Sequence, residues 1–125
     1  KRLLTRVDDV MKKDNLPMCD ENASIKEIVH KITDGKCGLV VVMNDEKIKG
    51  IITDGDIRRA METKENIFFQ LNAANLMSNN PKTIENSEKL IQASKFMSIE
   101  KINSLLVVDE YNNFLGIVQM YDLGI

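Results

Sequence analysis

The sequence predicts an α+β fold in which one short helix-and-strand unit is written twice, the two copies packing as a pseudo-twofold pair. Two observations carry this. Segments of one pattern recur along the 125 residues, Val7-Asp8-Asp9-Val10-Met11 beside Ala73-Ala74-Asn75-Leu76-Met77 and Pro17 beside Pro81, and such self-similarity marks a duplicated architecture. Within each copy the apolar spacing also switches from helical to strand-like. A unit of about sixty residues buries too little surface to stand comfortably alone, so the copies are expected to pack together.

Ile25, Ile28, Val29 and Ile32 sit at i, i+3, i+4 and i+7, and Leu90, Ala93, Ser94 and Met97 repeat that stripe. Both stripes predict amphipathic helices. Ser24 with Glu27 three residues on reads as a capping box, and Ser87 is expected to open the second helix in the same way. Each helix is followed by an apolar run, Leu39-Val40-Val41-Val42-Met43 and Leu105-Leu106-Val107-Val108, which predicts a buried strand. Asn44-Asp45-Glu46 and the stretch from Asp109 to Asn113 are polar turns. Gly50-Ile51-Ile52-Thr53 and Gly116-Ile117-Val118-Gln119 then return as the second strand of a hairpin. Asp56 and Asp122 stand at the mouth of a helix at the close of each copy. Thr63 to Asn72 holds Phe68 and Phe69 but no Pro or Gly, so it is expected to be a packed connector. Met11, Met61, Met77 and Met97 are assigned to the core.

The composition excludes several classes of function. Seventeen basic against nineteen acidic residues give a net charge of -2, which leaves no field for nucleic acid phosphates, and the aromatics, without Trp, offer few stacking platforms. No nucleic acid partner is expected. No apolar stretch is long enough to cross a bilayer, and Lys1-Arg2-Leu3-Leu4 is too short for a signal peptide, so no membrane partner and a cytoplasmic location are expected. Cys19 and Cys37, the two cysteines, make neither a disulfide framework nor a zinc site and are expected to be small half-buried residues. His30, the sole histidine, lies beside the apolar stripe and is expected to be solvated, so no catalytic residue is assigned. Asp20-Glu21, Asp45-Glu46 and Asp109-Glu110 lack the ligand spacing of a calcium loop and read as loop tips; no metal site is assigned. The chain opens on Lys within a charged segment, as a piece of a longer polypeptide would.

The segment Gly50-Ile51-Ile52-Thr53-Asp54-Gly55-Asp56-Ile57-Arg58-Arg59 leaves a strand, passes a turn and enters a helix. Helix N-termini favour anions. A Thr53 hydroxyl can donate to a phosphate oxygen. The Asp56 carboxylate would repel phosphate and accept from ribose hydroxyls instead. Together they point to a nucleotide or nucleotide sugar, with Arg58 or Arg59 completing the charge balance. The plainer alternative is that Asp54 or Asp56 only caps the helix.

These residues also carry a family resemblance. The two halves resemble CBS motifs, and the chain resembles a CBS pair, or Bateman module. The family's Gly-hydrophobic-x-Thr/Ser-x-x-Asp turn is met by Gly50, Ile51, Thr53 and Asp56; Gly116, Ile117 and Asp122 match in the second half, with Gln119 where Thr or Ser is expected. The resemblance implies β-α-β-β-α units, a first motif at 7–65 and a second at 66–125, after a linker end at 1–6. It also implies ligand contacts from Pro17-Met18-Cys19, Cys37-Gly38-Leu39, Pro81-Lys82-Thr83 and Asn103-Ser104-Leu105. The implied set is Met18, Cys37, Gly38, Leu39, Thr53, Asp56 and Arg58 in the first half, with Thr83, Asn103, Ser104, Gln119 and Asp122 in the second.

Thr53-Asp54-Gly55-Asp56-Ile57-Arg58-Arg59, Arg2-Leu3-Leu4-Thr5-Arg6-Val7 and Asn80-Pro81-Lys82-Thr83-Ile84 are further similar to the C-terminal part of the KpsF/GutQ family, D-arabinose 5-phosphate isomerases with a sugar isomerase (SIS) domain before a CBS pair. That resemblance implies a non-catalytic, regulatory fragment of an isomerase whose SIS domain lies upstream. No cofactor is required, and the implied effector is an adenine nucleotide or a CMP-sugar such as CMP-Kdo. A homodimer through CBS pairs is also implied. Two alternatives remain open, the CBS pair of a sugar nucleotidyltransferase and a non-binding dimerisation module.

Overall fold

The computed structural model describes residues 2–123; Lys1, at the start of the linker read from the sequence, and Gly124 and Ile125, at the end of the second motif, lie outside the described residues. The chain divides into two compact units, an inserted unit Pro17–Asn80 and a split unit formed by Lys1–Leu16 with Pro81–Ile125. The sequence repeat and the compact unit are therefore different divisions of the chain. Each unit carries a short helix and an edge segment that by sequence open the other repeat.

In the inserted unit, β1 (Met18–Asp20) runs parallel to β2 (Leu39–Asn44), which pairs antiparallel with β3 (Lys47–Thr53), and β3 pairs antiparallel with β4 (Ser78–Asn79). The long helix α2 (Ile25–Gly35) connects β1 to β2. Ser24 caps it, its hydroxyl accepting from the Glu27 N–H at 3.2 Å. Ile25, Ile28 and Ile32 are buried with Cys19, Val40, Val42 and Ile52, as the spacing predicts, whereas Val29 falls outside the stripe. Helix α3 (Asp54–Lys64) follows β3, and a 3₁₀ segment, Glu65–Gln70, leads to the short α4 (Ala73–Leu76). Ala73 enters the same core and its N–H donates to the Ala23 carbonyl at 3.0 Å.

The split unit repeats this arrangement with its pieces drawn from both ends of the chain. Its opening helix α1 (Val7–Val10) precedes a bridge between Lys12 and Ile117. β5 (Thr83–Glu85) is parallel to β6 (Ser104–Val108), which is antiparallel to β7 (Phe114–Gln119). Helix α5 (Leu90–Glu100) places Leu90, Ala93 and Met97 against Val7, Leu105, Val107 and Val118. Both hairpins carry a register irregularity at the same place, Val42/Met43 and Val107/Val108. At the β6–β7 turn, hydrogen bonds from the Asn113 side chain and backbone hold the Asp109 carboxyl below its usual range.

Three sequence expectations need correction. Ser87 does not cap α5: it lies in a turn leaving β5, and the helix starts after Lys89, where the Leu90 N–H donates to the Thr5 carbonyl at 2.8 Å. A backbone partner from the other end of the chain replaces the side-chain cap. Met61 is 51% exposed, because the buried face of α3 is Ile57 and Ala60 and Met61 lies one step past it. The connector is packed through Phe68 and, in part, Leu71; Phe69 meets Phe68 edge-on at 5.0 Å between ring centroids and is 81% exposed.

Candidate functional site

The pairing of the strands brings the candidate residues to one end of each sheet. In the inserted unit Leu39 at the start of β2 pairs with Thr53 at the end of β3, and Met18 at the start of β1 pairs with Val41. Met18 is exposed. Gly38 turns the chain into β2 at a φ of 72°, and its carbonyl accepts from the Asp54 N–H at 3.2 Å, tying the start of α3 to the start of β2. Cys37 precedes it, half-buried, with its thiol donating to the Gly35 carbonyl at 3.2 Å. Leu39 is 3% exposed, so its side chain is not accessible to a ligand.

Thr53 is the N-cap of α3. Its N–H donates to Asp56 Oδ2 at 2.9 Å, and its Oγ1 accepts from the Asp56 N–H at 3.2 Å. This is a reciprocal capping box. Asp56 Oδ1 accepts from the Arg59 guanidinium at 2.7 Å. Of the two arginines that the sequence offers for the charge balance, Arg59 is the one paired with Asp56, because residues three apart share a helix face and residues two apart do not. Arg58 is exposed. The capping alternative is thus present in the structure. Asn72 and Asn75 build the same reciprocal turn at the start of α4, with bonds of 2.9 and 3.1 Å. Capping alone is therefore no mark of a ligand; the added features at Thr53 are the anchored Gly38 carbonyl, the adjoining arginines and a long helix behind the turn.

In the split unit the matching end is built from Thr83, Asn103, Ser104, Gln119 and Asp122. Thr83 opens β5 and is exposed. Ser104 pairs with Gln119 across β6 and β7, and the Asn103 carbonyl accepts from the Met120 N–H at 2.8 Å. Asn103 thus corresponds to Gly38 and Ser104 to Leu39, one position from the alignment read in the sequence. The Gln119 N–H donates to Asp122 Oδ2 at 2.8 Å, reproducing half of the Thr53–Asp56 box. The last described residues, Met120–Leu123, form a 3₁₀ turn at the place where α3 begins in the inserted unit. Sequence reasoning missed Tyr121, whose hydroxyl donates to Gln119 Oε1 at 2.5 Å. A tyrosine two residues after Gln119 was the available signal.

Residues outside these ends add little chemistry. His30 Nε2 lies 3.1 Å from Asp34 Oδ2 one helical turn on, both side chains largely exposed. Burial, followed by the nearby Glu27 and Asp20, pushes the Cys19 thiol up to about 11 and keeps it protonated. Among the described residues there is no cluster of three or more His, Cys, Asp or Glu that could hold a metal ion, and no helix is long and apolar enough to cross a membrane.

Known proteins share both the sequence pattern and the fold. The chain is 40% identical over 123 residues to arabinose 5-phosphate isomerase KpsF of Escherichia coli, covering 98% of this chain and 37% of that protein. It is 36% identical over 124 residues to arabinose 5-phosphate isomerase KdsD of Francisella tularensis, covering 98% of this chain and 38% of that protein. The chain thus spans under two-fifths of the curated relatives it matches. Among solved structures, the CBS domain pair of protein MJ0100 in complex with 5′-methylthioadenosine and S-adenosyl-L-methionine superposes with a TM-score of 0.84 at 25% identity, covering 97% of this chain and 94% of that one. CBSX2 in complex with AMP shares the fold, with a TM-score of 0.81 at 20% identity over 96% of this chain and 93% of that one. The profile of the CBS domain matches residues 7–63 and again 73–123. With both copies of the repeat matched and the fold shared, the chain belongs to the CBS domain family.

Proposed function

We propose that the chain is a regulatory module that binds a nucleotide or nucleotide sugar at the Thr53–Asp56 end of the inserted unit and thereby modulates an attached arabinose 5-phosphate isomerase. The observation that carries this is the turn itself. Thr53 Oγ1 spends one lone pair on the Asp56 N–H, which leaves the hydroxyl hydrogen to be donated to a phosphate oxygen. The positive end of the α3 dipole and the side chains of Arg58 and Arg59 supply the favourable charge. Met18, exposed at the same sheet end, offers a polarizable surface for a base. Ribose hydroxyls are the chemistry suited to Asp56, whose carboxylate accepts and does not donate.

The isomerase reading is supported by the relatives, which carry that activity in proteins of which this chain matches 37 to 38%. The chemistry then resides in a separate SIS domain, interconverting ribulose 5-phosphate and arabinose 5-phosphate in the cytoplasm, and this chain supplies control or assembly as a homodimer. Control requires that the effector bind two states of the enzyme unequally. Adenine nucleotides are the favoured effectors, since structures of this fold hold AMP and S-adenosyl-L-methionine; a CMP-sugar such as CMP-Kdo is the feedback alternative. Titration calorimetry with AMP, ADP, ATP, CMP and CMP-Kdo tests the proposal: one of them binds, and Asp56→Ala weakens it at least about tenfold, equivalent to about 1.4 kcal/mol. Silence from all of them at millimolar concentration overturns it in favour of a non-binding assembly module, the reading that the self-satisfied capping box supports.

A further inference from the structure

We infer that Gln119 closes the split unit's strand ends to phosphate, so that the chain takes one phosphate-bearing nucleotide, at Thr53 and Asp56, and none at Ser104 and Gln119. The inference rests on the functional reading above and deepens it by assigning a stoichiometry and the residue that sets it.

The two sheet ends differ in both members of one cross-strand pair. Leu39 and Thr53 face each other in the inserted unit, Ser104 and Gln119 in the split unit. Leu39 has no polar side-chain atom to offer, so Thr53 Oγ1 takes the Asp56 N–H and its hydroxyl hydrogen remains for an outside acceptor. Gln119 behaves differently. Its Nε2 donates to Ser104 Oγ at 2.7 Å and its Oε1 accepts from the Tyr121 hydroxyl at 2.5 Å, and the residue is only 7% exposed. Both polar atoms of the Gln119 side chain are thus held within the unit, and turning the amide away from Ser104 and Tyr121 towards a phosphate would leave a buried polar group short of its partner, which is unfavourable.

Charge points the same way. Arg58 and Arg59 follow Asp56 in α3, whereas Met120, Tyr121, Asp122 and Leu123 bring a carboxylate and no cation. An acidic side chain without a neighbouring base repels a phosphate dianion.

The ¹⁵N-labelled chain titrated with AMP decides the matter by amide shifts and calorimetric stoichiometry. The expected result is saturating shifts at residues 53–59 with one AMP per chain and none at 103–104 or 119–122. Gln119→Thr then raises the stoichiometry to two, and Thr53→Gln weakens the first site at least about tenfold. Shifts of equal affinity at both ends of the wild type overturn this inference and leave the proposed function standing, whereas shifts at 119–122 alone overturn both. A folded Gln119→Thr chain that still binds one AMP overturns the role of Gln119. No shift at either end removes this inference together with the adenine-nucleotide form of the proposed function. Should Gln119→Thr not fold, the wild-type map and Thr53→Gln decide.

Discussion

The Thr53 N–H donates to Asp56 Oδ2 at 2.9 Å while the Asp56 N–H donates back to Thr53 Oγ1 at 3.2 Å, so the two residues best suited to a ligand are also the start of a helix. Asp56→Ala is expected to cost about 1 kcal/mol of stability through loss of the reciprocal bond from the Thr53 N–H, read as a lower urea midpoint. Asp56→Asn is expected to keep most of it, because Asn75 performs the same service for Asn72. Arg59→Ala, which removes a pair whose arginine is largely exposed, is expected to change stability by no more than about 0.5 kcal/mol.

Gly50 and Gly116 occupy matching places under the edge segments. A Cβ at Gly50 would lie 2.5 Å from the Ser78 carbonyl oxygen and 3.0 Å from Met77 Sδ; at Gly116 it would lie 2.5 Å from the Lys12 carbonyl oxygen and 2.8 Å from Met11 Sδ. Backbone atoms cannot step aside as a side-chain tip can. Gly50→Ala and Gly116→Ala are each expected to destabilise by about 1–3 kcal/mol, with hydrogen exchange accelerating first at β4 and at Lys12 respectively.

Cys19 gives a pH dependence with a definite sign. Its folded thiol titrates near 11 against 9.0 when unfolded, so the folded state holds the proton more tightly. The associated stability is fully present below pH 9 and is lost as pH rises from 9 towards 11, by on the order of 1–3 kcal/mol. Comparing urea midpoints at pH 8 and pH 10.5 for the wild type and Cys19→Ala isolates this contribution: the wild type should lose more. In native alkylation, half-buried Cys37 should react ahead of buried Cys19.

The core membership of Ala73 predicts which fragment folds. Residues 17–80 contain the whole core from Cys19 to Ala73 together with β4, and should show cooperative urea unfolding, although at this size only marginal stability. Residues 7–65, the first motif as the sequence repeat cuts it, lack Phe68, Ala73 and β4 and should not. Circular dichroism of both fragments checks this. A 7–65 fragment that unfolds cooperatively would contradict the division of the chain described above.

Much of this was readable from spacing. Ile25, Ile28 and Ile32 and their counterparts Leu90, Ala93 and Met97 announce their helices because burial on one face repeats every three to four residues, and the apolar runs announce β2 and β6. The exchange of opening helices was not readable: Val7 and Ala73 lead similar segments, and similarity cannot say which copy each one packs with. Ser87 misled because the start of α5 is set by Thr5, far away in sequence. At the site, Thr53 and Asp56 were legible from their turn pattern. The Ser104–Gln119–Tyr121 chain was hidden by an alignment one residue out of step, which set Ser104 beside Gly38 instead of Leu39.

The insertion of residues 17–80 within the other unit also has a mechanical meaning. Tension applied at Arg2 and Leu123 enters the split unit from both sides, and the inserted unit feels none of it while Thr5 remains bonded to Leu90 and Lys12 to Ile117. The chain therefore behaves as a fuse in series with a protected element. A pull that parts those few backbone links opens the split unit first, and the end of β3 that bears Thr53 yields only afterwards.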